Sequence, residues 1–146
     1  MHIWVPPLNS PQQHSIAHVE ARSDGGPLDP TLRVTINFHP ARLHRDVPLL
    51  HALANDGEYR SQFETGTGNG SLSAFPGAER WHWETRLFGG AYDTAPTNER
   101  PKVGALNFRR RATGAATRFG SAHLRLRPDI ASRCTFCFPD SCFDPS

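Results

Sequence analysis

Polar and apolar residues alternate with a period of two along several stretches of this chain, the pattern of strands with one buried face. Residues 33–39 put Val34, Ile36 and Phe38 on one side, and Pro40 closes the run. Residues 59–65 set Tyr59, Ser61 and Phe63 against Arg60, Gln62 and Glu64. Residues 80–88 turn Trp81, Trp83 and Leu87 inward before Gly89-Gly90 breaks the pattern. Residues 121–127 place His123, Arg125 and Arg127 opposite Ala122, Leu124 and Leu126, and shorter strands are predicted at 103–108 and 134–138.

Helical signals lie closer to the N-terminus. Ser10-Pro11-Gln12-Gln13 reads as a capped start, with proline at the first helical position and glutamine three residues after the cap. Ile16, Val19 and Ala17 would face inward, and Asp24-Gly25-Gly26-Pro27 ends the helix. Asp46 can cap a second helix through Ala54 that buries Leu49, Leu50 and Leu53, with Asp56-Gly57 turning the chain. Residues 1–9 read as a loose arm and residues 93–103 as a loop. The expected class is α+β: N-terminal helices plus about five short, mostly antiparallel strands, in a single domain over 10–146.

Composition narrows this only slightly. A chain of 146 residues is long enough to bury a core. Its hydrophobic content of 37% and mean hydropathy of −0.53 lie at the polar end for a folded domain. No apolar run approaches the roughly 20 residues a membrane helix needs, and Met1-His2-Ile3-Trp4 starts no signal peptide, so cytoplasmic placement is the expectation. Residues 1–75 hold five basic and seven acidic side chains, whereas residues 76–146 hold eleven and seven. The basic second half suits a phosphate-bearing ligand. It also allows an alternative reading, a non-catalytic module that engages an acidic protein or nucleic acid through Arg109-Arg110-Arg111. The charge excess is too modest to make nucleic acid the preferred partner.

Several motifs for phosphate, metal or nucleophile chemistry are incomplete. Gly66, Gly68 and Gly70 are spaced neither as a dinucleotide fingerprint nor as a Walker loop. Cys134, Cys137 and Cys142 fall one ligand short of a closed zinc site, and on a strand the first two would point to opposite faces. His39, His44 and His123 lack a carboxylate at metal-ligand spacing, so no metal is expected, and no Gly-x-Ser-x-Gly elbow occurs. The constellation that remains is Arg60, Gln62 and Glu64, about 7 Å apart in succession if they share one strand face, beside a glycine-rich loop. An arginine there could grip a diphosphate, and a carboxylate could oppose positive charge on a sugar. The same pair could equally be a surface ion pair worth little.

Five ordered blocks carry a resemblance. They begin at Tyr59-Arg60-Ser61-Gln62-Phe63-Glu64, Phe88-Gly89-Gly90-Ala91-Tyr92-Asp93, Arg100-Pro101-Lys102-Val103-Gly104, Phe119-Gly120-Ser121-Ala122-His123 and Thr135-Phe136-Cys137-Phe138-Pro139. Together they resemble an uncharacterised bacterial domain-of-unknown-function family, numbered thirty-six twenty-six, over most of residues 10–146. That family is in turn distantly similar to ADP-ribosyltransferase toxin-like domains. The resemblance implies a split sheet with an NAD cleft between its halves, an arginine anchoring the NAD phosphates, and a glutamate opposing the charge on the ribose. Mapped onto this chain, Arg60 takes the arginine role with Arg100 as rival, and Glu64 takes the catalytic carboxylate role. Ser61, Gln62, Asn69, His123, Thr135 and Ser141 complete the implied NAD-binding set. Val103 stands where the family shows tyrosine. The family also continues into a glutamate-bearing stretch beyond the Pro139-Asp140-Ser141 block, so the resemblance implies a C-terminally truncated form, inactive unless Glu64 or Glu84 substitutes.

Overall fold

Strand β1 (Val34–Phe38) is buried at all five positions, although its sequence alternates. Val34, Ile36 and Phe38 enter the apolar core on one face, as their spacing predicts. Thr35 and Asn37 on the other face are buried as well, under the loop that follows residue 107. The Asn37 amide donates to the carbonyls of Thr113 and Gly120, at 2.9 and 3.1 Å, and its oxygen accepts from the N–H of Ala116. Thr35 Oγ1 accepts from the N–H of Ala115. These side chains satisfy backbone groups that an apolar residue would leave unpaired.

The computed structural model describes residues 4–65 and 73–139. Helix α1 (Ser10–Glu20) comes first, and β1 follows it. Next come the short strands β2 (Leu43–His44) and β3 (Val47–Pro48), then helices α2 (Leu49–Asp56), α3 (Gln62–Thr65) and α4 (Glu79–Phe88). Strands β4 (Ala105–Leu106) and β5 (Ala122–Arg125) complete the regular elements, with 3-10 turns at Thr97–Glu99, Thr117–Phe119 and Pro128–Arg133. The class is α+β, and all strand pairs are antiparallel. β4, β1 and β5 form one sheet in that order, and β2 and β3 form a separate hairpin. The register of the main sheet sets Ile36 against Leu124 and Asn37 against His123.

Helix α1 is capped one residue earlier than its sequence suggests. Asn9 is the N-cap, and its side chain and that of Gln12 bond reciprocally to each other's backbone N–H. The helix packs against α4, with Ser15 buried 3.2 Å from the Tyr92 hydroxyl while Ala17 stays exposed. Helix α2 starts after Pro48, and no side chain caps it. Asp46 sits in the β2–β3 turn instead, and Leu50 is exposed.

Three predicted strands are not strands. Residues 80–88 form α4, because Trp83, Glu84 and Phe88 are buried at helical spacing and Gly89 ends the helix in the left-handed conformation at φ 60°. Residues 62–65 form α3, a single turn set by Ser61-x-x-Glu64, in which the Glu64 carboxylate accepts from the Ser61 N–H at 2.6 Å. Residues 134–138 are irregular and follow the Pro128–Arg133 turn.

α4 carries a buried charge. The Glu84 carboxylate accepts from Arg100 Nε at 3.0 Å and Nη2 at 2.8 Å, and Arg100 Nη1 donates to the Tyr92 carbonyl at 2.8 Å. The guanidinium also lies over the Phe63 ring, 4.3 Å from its centroid. Burial pushes the Glu84 carboxyl above the ordinary range, and the Arg100 charge opposes that rise.

Arg100→Met should cost about 3–5 kcal/mol, since it strands a buried carboxylate. Replacing both partners, Glu84→Leu with Arg100→Met, should recover most of that loss in urea unfolding. A double variant no better than the single one would contradict the account. At Gly120, φ is 147° and an added Cβ would meet the Phe38 carbonyl carbon at 1.9 Å. Gly120→Ala should therefore cost more than about 3 kcal/mol. Gly57→Ala, in open space at φ 65°, should cost only the left-handed strain of about 1–2 kcal/mol. Equal urea midpoints for the two variants would contradict the close approach.

Candidate functional site

Between the β2–β3 hairpin and the end of α2 lies a polar recess of about 250 Å³, walled by His44, Arg45, Val47, Ala52, Asn55, Asp56, Arg60 and Glu64. Arg60 arrives on the extended segment between Gly57, the left-handed cap of α2, and α3. Its Nε donates to Asp56 Oδ2 at 2.9 Å, and its Nη1 stands 3.8 Å from Glu64 Oε1. That hydrogen bond is the main reason the Asp56 carboxyl lies below its ordinary value, aided by the charges of Arg60, His44 and Arg45.

Glu64 is the buried member of the pair, its side chain 5% exposed. Its Oε2 is occupied, accepting from the Ser61 N–H at 2.6 Å and from Lys102 Nζ at 2.5 Å. Its Oε1 is buried and has no hydrogen-bond partner among the described residues. Burial pushes the carboxyl up, but the hydrogen bonds from Lys102 and Ser61, with the Lys102 charge, more than reverse this and hold it below the ordinary value of 4.5. Glu64 is therefore an ionised carboxylate at neutral pH, with its buried second oxygen facing the Arg60 guanidinium.

The remaining sequence-derived candidates divide. Ser61 and Gln62 belong to the same turn as Glu64 but do not line the recess. Ser61 Oγ is buried without a partner, and Gln62 Oε1 accepts from Arg80 Nε at 3.0 Å. Arg100 is committed to Glu84 and the Tyr92 carbonyl in the interior. His123 lies on β5 beside Asn37, and Thr135 lies in the irregular segment after the last 3-10 turn; neither borders the recess. Asn69, Ser141 and Cys142 lie outside the described residues, as does most of the glycine loop. Among the described residues, no three His, Cys, Asp or Glu side chains are gathered closely enough to hold a metal ion, and no helix is long and apolar enough to cross a membrane. Within the arginine run, Arg110 pairs with Asp29 and Thr31, and Arg109 lies over the Phe108 ring.

Residues that sequence reasoning did not assign to the recess are His44, Arg45, Asn55 and Asp56 on its walls and Lys102 behind Glu64. Asp56–Arg60 at i,i+4 was a readable signal, as was the Ser61-x-x-Glu64 capping pattern. Lys102 had none, being brought in from 38 residues away.

Fold and site together define an α+β domain with a charge-lined recess between the β2–β3 hairpin and α2. The chain matches the family described as "Protein of unknown function (DUF3626)" over residues 33–146, and it belongs to that family. The match begins just before β1, so α1 lies ahead of it. No curated protein and no solved structure matches the chain.

The lowered Glu64 ionisation has a measurable sign. A carboxyl whose folded value lies below its unfolded value contributes stability that is fully present above the unfolded value, 4.5. That stability is lost as pH falls through the folded value. Glu64→Gln should therefore be less stable than wild type by about 2 kcal/mol at pH 7. The difference should shrink steadily as urea midpoints are followed below pH 4.5. A difference that stays constant into acid would show that Glu64 is not the titrating group.

Proposed function

We propose that this chain is an ADP-ribosyltransferase-like domain whose recess holds the sugar-and-phosphate part of NAD. The observation that carries the reading is the meeting of Arg60 and Glu64 in one recess, with a guanidinium nitrogen 3.8 Å from a buried carboxylate oxygen that has no hydrogen-bond partner among the described residues. At about 250 Å³ the space suits part of a dinucleotide rather than the whole, since pockets for larger ligands run to roughly 300–1,000 Å³.

NAD supplies an ADP-ribosyl group joined to nicotinamide by a labile glycosidic bond. Arg60, already oriented by Asp56, offers its remaining N–H groups to a phosphate oxygen. Glu64, kept ionised by Lys102 and the Ser61 N–H, places negative charge where a ribose would become positive. Its Oε1 is buried, so Glu64 contributes charge rather than a direct hydrogen bond to the sugar. Arg60 and Glu64 are the residues assigned to the chemistry; Arg100 serves the interior.

Titrating NAD in a thermal-shift or calorimetric assay tests this directly. Millimolar NAD should raise the melting temperature of the wild type. Arg60→Ala should bind NAD roughly ten- to a hundredfold more weakly, the loss of one charge-assisted hydrogen bond. Arg60→Lys, which keeps the charge but not the fork, should fall between. No shift for the wild type at several millimolar NAD, or equal affinity in all three proteins, would overturn the reading.

A further inference from the structure

Strands β2 and β3 pair Leu43 with Pro48 and His44 with Val47, which leaves Arg45 and Asp46 as a two-residue turn. Both are in the left-handed region, at φ 51° and 63°. A tight hairpin of this kind demands positive φ at both central positions, and asparagine followed by glycine meets the demand with least strain. An arginine there carries left-handed strain of about 1–2 kcal/mol. Strain held in a turn that walls a recess is a reason to ask what the side chain does.

Arg45 lines the recess, is exposed, and has no hydrogen bond or ion pair among the described residues. The other charges at the site are matched: Asp56 holds Arg60, and Glu64 holds Lys102. Arg45, its charge felt at Asp56 without a direct bond, stands on the hairpin wall, while Arg60 rises from the segment after α2. Among the described residues Arg60 itself uses only Nε in a hydrogen bond, so both guanidinium groups have N–H donors to spare.

We infer that Arg45 is a second anion contact, and that Arg45 and Arg60 together grip the two adjacent phosphoryl groups of a diphosphate. This rests on reading the recess as a ligand site. It adds to that reading the part of the ligand held there and the residue that selects it. A single phosphate can satisfy one guanidinium fully; a diphosphate presents an anionic group to each. The hairpin turn thus acts as the specificity element of the recess, and its strain is the consequence of placing an arginine where glycine would be easier.

Calorimetric titration of the full chain with inorganic pyrophosphate and with inorganic phosphate tests the inference, using wild type, Arg45→Gly and Arg45→Asn. Both replacements suit a left-handed turn, so both should melt at or above the wild-type temperature. Each should bind pyrophosphate at least tenfold more weakly and lose most of the wild-type preference for pyrophosphate over phosphate. Unchanged pyrophosphate affinity in folded variants, no preference in the wild type, or no pyrophosphate binding at all would overturn the inference. The NAD proposal fails separately. Arg45-dependent pyrophosphate binding without any NAD shift leaves the diphosphate clamp standing and removes NAD. An NAD shift that survives Arg45→Gly undiminished does the reverse.

Discussion

The ion pair between Glu84 and Arg100 is the constraint on which the helical half of the molecule depends. Both side chains are almost wholly buried, and one carboxylate oxygen receives two guanidinium hydrogen bonds. Such a pair gains little net stability, because desolvating two charges consumes much of their attraction. What it does is place things. Arg100 draws the segment after the Thr97–Glu99 turn against α4, ties the Tyr92 carbonyl, and lays its guanidinium on Phe63 of α3. Two residues further on, Lys102 is then in position to reach Glu64. The ionised state of the recess carboxylate is in this sense a downstream product of an ion pair that never touches the recess.

The main sheet is held by a different economy. β4 and β5 pair both edges of β1, the core covers its apolar face, and the loop after residue 107 covers its polar face. Its polar residues act as surrogate backbone, closing hydrogen bonds for a loop that has no ladder of its own. Gly114 and Gly120 allow that loop to lie close, since a side chain at either would collide with Asn37 or Phe38. The main sheet thus lies apart from the recess, and the separate β2–β3 hairpin carries the charged wall.

This explains what could be read from the chain and what could not. The alternations in β1 and β5 were legible because their apolar residues recur with a period of two, and the two strands pair along that length. α4 was not, and the reason is chemical. Its buried stripe contains Glu84, which looks like a solvent residue until Arg100, 16 positions away, is known to meet it. With that position counted as polar, Trp81 and Trp83 mimic the period of a strand. The Cys134–Cys137 segment misled in the opposite way: its β-favouring side chains find no partner strand among the described elements, and propensity alone does not make a ladder.

The recess was partly legible through an accident of arithmetic. Residues four apart share a face of a strand, where the period is two, and also share a face of a helix, where one turn is 3.6 residues. Arg60 and Glu64 therefore share a side of the expected strand, at about twice the 7 Å same-face step, and the turn actually formed draws them to 3.8 Å. Gln62 separates the two cases. On a strand it would stand in line with them; in the turn it points away, and it bonds to Arg80 of α4. Arg45 had no such redundancy. Its place depends on a hairpin whose turn residues are neither glycine nor asparagine, so no local pattern announces it. A charge whose position follows from one periodicity alone is lost when the element is misread. A charge common to both periodicities survives, and for that reason the Arg60–Glu64 pair was visible before the fold was.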